Sequence, residues 1–570
     1  MATLRYNITA VSVTLWFNTY GDHDHNGKIY ILSQYKDILA YLKRVQHSQG
    51  STHAEREELK VLRDQLARTH GLEGDPHRLE EWLPSTQAAA RRPHPLIVPL
   101  VLRGAQGDTL EIKLENELEA DEEHGPRHVG LHLIGPGGEG AGNDGSHVGT
   151  NPSSLVPPGE QRLYTWMASH EGVFVFHDAG DFRGTEAGTN AHGLFGALVV
   201  EPAGSRWSDP ETGEDLIRAG TGEILGTGLY VDVHQRSQAD LEWRAWAPFP
   251  NPDDPDSLTQ EYPEPQASFR EFVIFIHDEP EWAAPHGRLE SNPCEPASLS
   301  QDQLAHQHTA GTLMPISYRA EPMISREREL WRRIKAGEVD PNNIVVNEEQ
   351  HHSSWMFGDP QTPILKAYLG DPVRVRLVHA GVKETHVFHL HVYEWHAIPY
   401  RRESNTIDAI TISPQTGHTF IPLYGAGNRQ MVPGDVIWHC HLYPHFHHGM
   451  WGIFRTFNTL QAGQSGAYFH GETGKPLAED DPLLDPLPPG KFSPALRERR
   501  RLLRRLGHYP DLTPIRRLVP LPDREPPPHP TTERPGFPLF LAGEVHQKSY
   551  TPPWHRPRAE ASKEGWDVFA

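Results

Sequence analysis

The sequence predicts an all-β protein: two related β-sandwich blocks, a partly helical N-terminal segment and an irregular C-terminal tail. Three observations carry this expectation. The chain has 570 residues with 52 Pro, 50 Gly and 37% hydrophobic content, which favours short strands and many turns over helix bundles. Alternating and β-branched apolar runs occur where strands are needed. Two blocks of the chain also carry the same landmarks in the same order.

The landmarks pair as follows. Gly107-Asp-Thr-Leu-Glu-Ile-Lys-Leu114 parallels Gly370-Asp-Pro-Val-Arg-Val-Arg-Leu377. Gly172-Val-Phe-Val-Phe-His177 parallels Asp435-Val-Ile-Trp-His439. His192-Gly-Leu-Phe-Gly196 parallels His448-Gly-Met-Trp-Gly452. The resulting divisions are an N-terminal strand plus helical segment (1–94), a first block (95–205), a connection (206–265), a second block (266–460) and a Pro-rich tail (461–570).

Taken in order, residues 6–17 read as a β-branched-rich strand. Asp22-His-Asp24-His-Asn26-Gly27 matches the first half of a calcium loop, but Ser33 stands where the bidentate Glu belongs, so a polar turn is expected. Two helices follow. Tyr35 to Val45 puts Ile38, Leu39 and Leu42 on one face, and His53 to Arg68 carries Leu59, Leu62 and Leu66 before a stop at Gly71. The first block opens on alternating apolar residues from Pro99 to Leu114 and ends in Phe195 to Val200. Residues 203–265 are rich in Gly, Pro and acids and read as strand-poor. Phe269 to Ile276 opens the second block. The tail holds one basic helix, Pro494 to Leu506, which either binds an acidic surface or packs on the protein's own. From His508 onward the chain reads as wrapping.

A net charge of −22 argues against a nucleic-acid partner and is compatible with cationic substrates such as metal ions. No run of 18 apolar residues occurs, so no membrane span is expected. The first residues lack a signal-peptide pattern, so the chain either stays in the cytoplasm or has had an export signal removed. Cys294 reads as an incidental loop thiol. The other cysteine is Cys440.

Cys440 lies in Trp438-His-Cys-His-Leu-Tyr-Pro-His445-Phe-His-His-Gly-Met450, a stretch with five His and a Met. A copper electron-transfer site needs a thiolate, two imidazoles and a weak axial thioether. Cys440, His445 and Met450 supply three of those groups. In an extended strand His439 and His441 face away from Cys440 and can reach a second site behind it. His386-Val-Phe-His389-Leu-His391 supplies the rest: His386 completes the thiolate set, and His389 and His391 share a strand face. His389, His391, His439 and His441 are then four imidazoles for further copper ions. The extra His447 and His448 are read as packing residues, since His448 aligns with His192.

His-Cys-His-x3-His-x3-Gly-Met together with His-x2-His-x-His resembles the paired signatures of multicopper oxidases, which are built from Greek-key cupredoxin domains. The resemblance covers roughly residues 95–205 and 266–460. It implies two cupredoxin-like domains, with type 1 copper on His386, Cys440, His445 and Met450. It implies type 2 copper on His389 and His132, and a type 3 pair on His391, His439, His441 and His177. Electrons from a metal-ion or phenol-type reductant would pass from Cys440 to His439 and His441, and dioxygen would be reduced to water. A homotrimer, with the cluster shared between subunits, is a further implication. The first block departs from the family pattern at Ile134 and Ala179, where two of eight cluster histidines are expected, and Asp178 and Leu194 show that it has no type 1 site. His124, His128, His147 and His170 are possible substitutes. Two alternatives stay open: a copper electron-transfer protein with an incomplete cluster, and a nitrite-reductase-like enzyme.

Overall fold

The computed structural model describes residues 2–48, 52–235, 268–280, 313–326, 351–461, 518–528 and 537. Short interruptions fall at 75, 121–126, 136–137, 139, 182, 184–187, 219–222, 225–227, 279, 353, 358, 400 and 402. The fold is all-β, as expected, with four main sheets that form two sandwiches.

In the first sheet, Thr3–Ser12 lies between Glu223–Ile224 and Thr109–Glu117, followed by Gln161–Met167, and Lys28–Leu32 also pairs with Thr3–Ser12. The second sheet runs Leu100–Ala105, Phe195–Glu201, Gly172–His177, His132–Leu133. The third runs Arg206–Ser208, Tyr230–His234, Phe269–Ile276, Val373–His379, Thr416–Phe420. The fourth runs Ile364–Tyr368, Trp451–Phe457, Gly434–Cys440, His386–Leu390, Ala409–Ile412. The second and fourth sheets share an order: a strand parallel to the long central one, then two antiparallel neighbours. The repeat read from the sequence is thus a repeat of topology.

Its glycines have a shared cause. A Cβ on Gly196 would meet the Phe176 ring at 2.3 Å, and one on Gly452 would meet the Trp438 ring at 2.2 Å. Each glycine lets an aromatic side chain from the paired strand lie across it. Gly193 and Gly449 both have positive φ, 102° and 109°.

The second and third sheets pack on each other. Phe269–Ile276 is buried on both faces: Phe272 and Ile274 join the second core, while Val273 and Phe275 join the first. This explains the apolar run from Phe272 to Ile276, which has no water-facing side to mark. Charges buried in this layer neutralise one another. Arg376 binds Glu201 and Glu271 at 2.8 Å each, Arg103 also binds Glu271, and Arg374 binds Glu201 at 3.0 Å. Burial pushes the Glu271 carboxyl up, but Arg376 and Arg103 overcome it and hold it below the usual range.

The sheets run past the divisions read from the sequence. Thr3–Ser12 pairs in parallel with Thr109–Glu117 as Phe269–Ile276 pairs with Val373–His379. It is the opening strand of the first sandwich, and the helices Lys36–Gln46 and His53–Thr69 are inserted behind it. The strand ends at Ser12, with Leu15–Trp16 separate. The stretch expected to be strand-poor contributes Arg206–Ser208 and Tyr230–His234 to the third sheet. These strands are short and carry charges, so their apolar pattern is weak; pairing decides them. The calcium-like stretch is a turn: Asp24 accepts from the Asn26 N–H and pairs with His192 at 2.7 Å. Tail residues 518–528 wrap the second sandwich, with the Leu518 and Val519 carbonyls accepting from Tyr368 and Arg270. The basic stretch 494–506 and Cys294 lie outside the described residues.

Candidate metal centres

Two antiparallel strands build the second-block site. His389 sits opposite His439, and Phe388 opposite Cys440. Alternation along Gly434–Cys440 turns Cys440 into the sandwich core, where it is 2% exposed, and His439 the other way. A short helix, Tyr443–His447, then brings His445 back toward Cys440.

Inside the sandwich, the Cys440 Sγ lies 3.7 Å from His386 Nδ1 and 3.6 Å from His445 Nδ1, and those two nitrogens are 3.0 Å apart. Metal bonds of about 2.0–2.3 Å place three trigonal donors about 3.5–4.0 Å apart, so this triangle fits a metal once the two imidazoles open by about half an ångström. Met450 is buried beside it. Its carbonyl accepts from the Cys440 N–H at 3.1 Å, and its own N–H donates to the His445 carbonyl at 3.1 Å. Burial lowers the His386 pKa to about 3, helped by His379 and His445, and leaves the neutral ring a metal needs. Burial raises the Cys440 thiol, so a metal must displace its proton.

On the other face the four predicted imidazoles converge. Ring centroids lie 4.8 Å apart for His389 and His391, and 5.3–5.4 Å for the His389–His439, His389–His441, His391–His439 and His439–His441 pairs. His391 Nε2 and His439 Nε2 are 3.2 Å apart. The His389 Nδ1–H donates to the Asp408 carbonyl and the His439 Nδ1–H to the Cys440 carbonyl, so both rings keep an Nε2 lone pair. Burial, followed by the neighbouring imidazoles, outweighs that backbone bond and lowers the His439 pKa to about 4. His391 and His441 are exposed, so this face opens at the surface.

The first block repeats the pose. His132 sits opposite His177, with ring centroids 5.4 Å apart. Their Nδ1–H groups donate to the Asp144 and Asp178 carbonyls, matching His389 and His439. Among the described residues, no metal-sized group of three donors includes His132 or His177, and His128, His147 and His170 join none. His124 lies outside the described residues. The structure therefore assembles His386, Cys440 and His445, and His389, His391 and His439, each as a donor group, and leaves His132 with His177 as a separate pair.

Three residues were missed by the sequence reading. Glu384 accepts from His445 Nε2 at 2.7 Å. Asp278 lies 4.0 Å from His386 Nε2, and the ring of His379 is 4.8 Å from that of His386. Glu384 stands two positions before His386, but an isolated Glu before a strand carries no signal. Asp278 and His379 come from neighbouring strand ends that only sheet pairing brings together.

No family model matches the chain. The probable nitrite reductase-hydroxylamine oxidoreductase fusion protein of Kuenenia stuttgartiensis is 30% identical over 118 residues, which is 20% of this chain and 13% of that protein. The chain thus spans a small fraction of this curated relative's length. A solved copper nitrite reductase from Nitrosomonas europaea is 14% identical, with 80% of this chain and 94% of that one covered at a TM-score of 0.37. A solved multicopper oxidase, mgLAC, is 12% identical, with 80% and 86% covered at a TM-score of 0.38.

Proposed function

We propose that the chain is a copper oxidoreductase of the multicopper oxidase type, built on two cupredoxin-like sandwiches. One observation carries the reading: a single strand presents Cys440 to a buried thiolate–imidazole triangle and His439 to a cluster of imidazoles on its other face. His386, Cys440, His445 and Met450 would hold one copper, and His389, His391, His439 and His441 would hold others. Copper there supplies one-electron chemistry, taking electrons from a metal-ion or phenol-type reductant and delivering them to dioxygen.

The chain's own residues set the conditions. Cys440 is joined through peptide bonds to both His439 and His441, giving a short covalent route between the two sites. The sandwich core keeps water from Cys440, His386 and Met450. His445 is the polar edge, because its Nε2 meets the partly exposed Glu384. The open imidazole face and the isolated His132–His177 pair fit an assembly in which one chain's first block meets the next chain's second block, as in a homotrimer.

A second reading is supported by the name of the Kuenenia stuttgartiensis relative and by the donor group of His389, His391 and His439, since a nitrite-reducing copper site needs three imidazoles. Its weakness is that the thiolate site lies in the second block, where that family carries it in the first. A copper count with oxygen uptake and nitrite reduction, measured on one sample, separates the readings. About four coppers per chain with oxygen uptake is expected. Copper-loaded protein that consumes no oxygen with any good reductant rules out the oxidase. Nitrite reduction in its place supports the second reading, and inactivity toward both supports pure electron transfer.

A further inference from the structure

Behind the thiolate site lies a second buried group that the proposed chemistry does not use. Asp278, His379 and His386 are each nearly or fully inaccessible to solvent, and one ligand atom from each lies within 4.8 Å of the other two. Asp278 is clamped by consecutive backbone N–H groups: Val382 donates to one oxygen at 3.0 Å, and Lys383 and Glu384 donate to the other at 3.0 and 2.7 Å. The His379 Nε2–H donates to the Glu384 carbonyl at 2.6 Å, which leaves its Nδ1 as an acceptor. That Nδ1 is buried without a hydrogen-bond partner, and so is His386 Nε2. Two unpartnered ring nitrogens in one buried pocket are costly unless something satisfies both.

Hydrogen-bonding roles select the occupant, and the spacing admits it. A tetrahedral metal with bonds of about 2.0–2.2 Å holds its donors about 3.3–3.6 Å apart. A tetrahedral water with hydrogen bonds of about 2.8 Å holds its partners about 4.6 Å apart. The Asp278–His386 separation is 4.0 Å, between the two. The hydrogen bonds close around a water. A water accepts from His386 Nε2–H and donates its two protons to the Asp278 carboxylate and to His379 Nδ1. A metal at this position would instead need His386 stripped of its Nε2 proton.

We propose that Asp278, His379 and His386 enclose one buried water, and that through it Asp278 is a positioning residue that holds His386 in its Nε2–H tautomer with Nδ1 aimed at Cys440. The carboxylate then favours the more positive, oxidised state of a metal bound at His386 Nδ1. This last consequence rests on the copper reading; the water and the tautomer do not.

The test therefore begins with the metal-free native chain. A crystal structure at atomic resolution is expected to show a water within hydrogen-bond distance of all three groups, and imidazole nitrogen NMR to show Nε2–H at His386. A dry pocket, a metal ion in it, or the Nδ1–H tautomer overturns the proposal. Asp278→Asn keeps the shape and removes the charge. In the copper-loaded protein it is expected to shift the equilibrium with a redox titrant about tenfold toward the reduced form, with His379→Gln shifting it less. If Asp278→Asn fails to fold, the native-chain measurements and His379→Gln still decide. An unchanged titrant equilibrium in a folded Asp278→Asn overturns the tuning role, whereas failure of the native chain to bind copper overturns the copper reading and leaves the water and tautomer standing.

Discussion

Asp178 and Cys440 hold the same place in the two sandwiches, one residue after a histidine paired across the sheet to another histidine. Their surroundings differ. Asp178 is fully buried and accepts from the Gly130 and Gly180 N–H groups at 2.7 Å and from the Thr189 hydroxyl at 2.8 Å. Burial still lifts its pKa to about 6 against those bonds. Cys440 instead faces two imidazole nitrogens. Val129 precedes His132 as His386 precedes His389, so the first sandwich offers no imidazole at that point. One fold position can thus serve as an internal clamp or as a thiol donor facing two imidazoles. What surrounds it decides: three hydrogen-bond donors fix a carboxylate, and two lone pairs with a thiol invite a soft metal.

The largest expected effect breaks the comparison from both sides. Cys440→Ser should abolish the thiolate–copper absorption band while the protein stays folded. Asp178→Ala should keep that band and lose about 3 kcal/mol of stability, because three buried donors lose their acceptor. Loss of the band in both variants would mean that the positions are not separable. Arg376→Met probes the layer joining the sandwiches. It removes the guanidinium shared by Glu201 and Glu271, leaving Arg374 on the one and Arg103 on the other, and should cost about 3 kcal/mol in denaturant unfolding. A cost below about 1 kcal/mol would show that the halves do not depend on this network.

The last effect appears only as pH falls, and it centres on the first sandwich. His94 is buried behind the inserted helices, and burial lowers its pKa to about 4, the Trp82 carbonyl bond notwithstanding. The unfolded chain, near 6.5, takes up this proton first as pH falls. Stability is therefore fully present above about pH 6.5, falls between there and about pH 4, and loses no more below that. The full loss is roughly 3 kcal/mol. His94→Gln should flatten this window in urea titrations across pH, and an unchanged slope would remove His94 as the cause.

Much of the second-block donor grouping was legible in the sequence because its residues are local. Cys440, His445 and Met450 fall within one turn-and-helix segment, and strand alternation alone sends His439 and Cys440 to opposite faces. The same holds for the apolar strands and for the two inserted helices, whose period shows in the chain. The position of Thr3–Ser12 was not legible, since its partner strand lies about a hundred residues away and parallel pairing leaves no turn signal between them. The separation of His132 and His177 from the four-imidazole face was equally hidden, as motifs record residue types and not which sheets meet. Asp278, His379 and Glu384 were silent for a related reason: each is an ordinary polar residue until burial removes water and a histidine of the donor group stands beside it. The sequence by itself determined the donor chemistry and the strand that divides it, because covalent order and a period of two are local properties. Tertiary structure decided which groups surround His386 and whether the imidazole face is closed, because those depend on strands that only folding brings side by side.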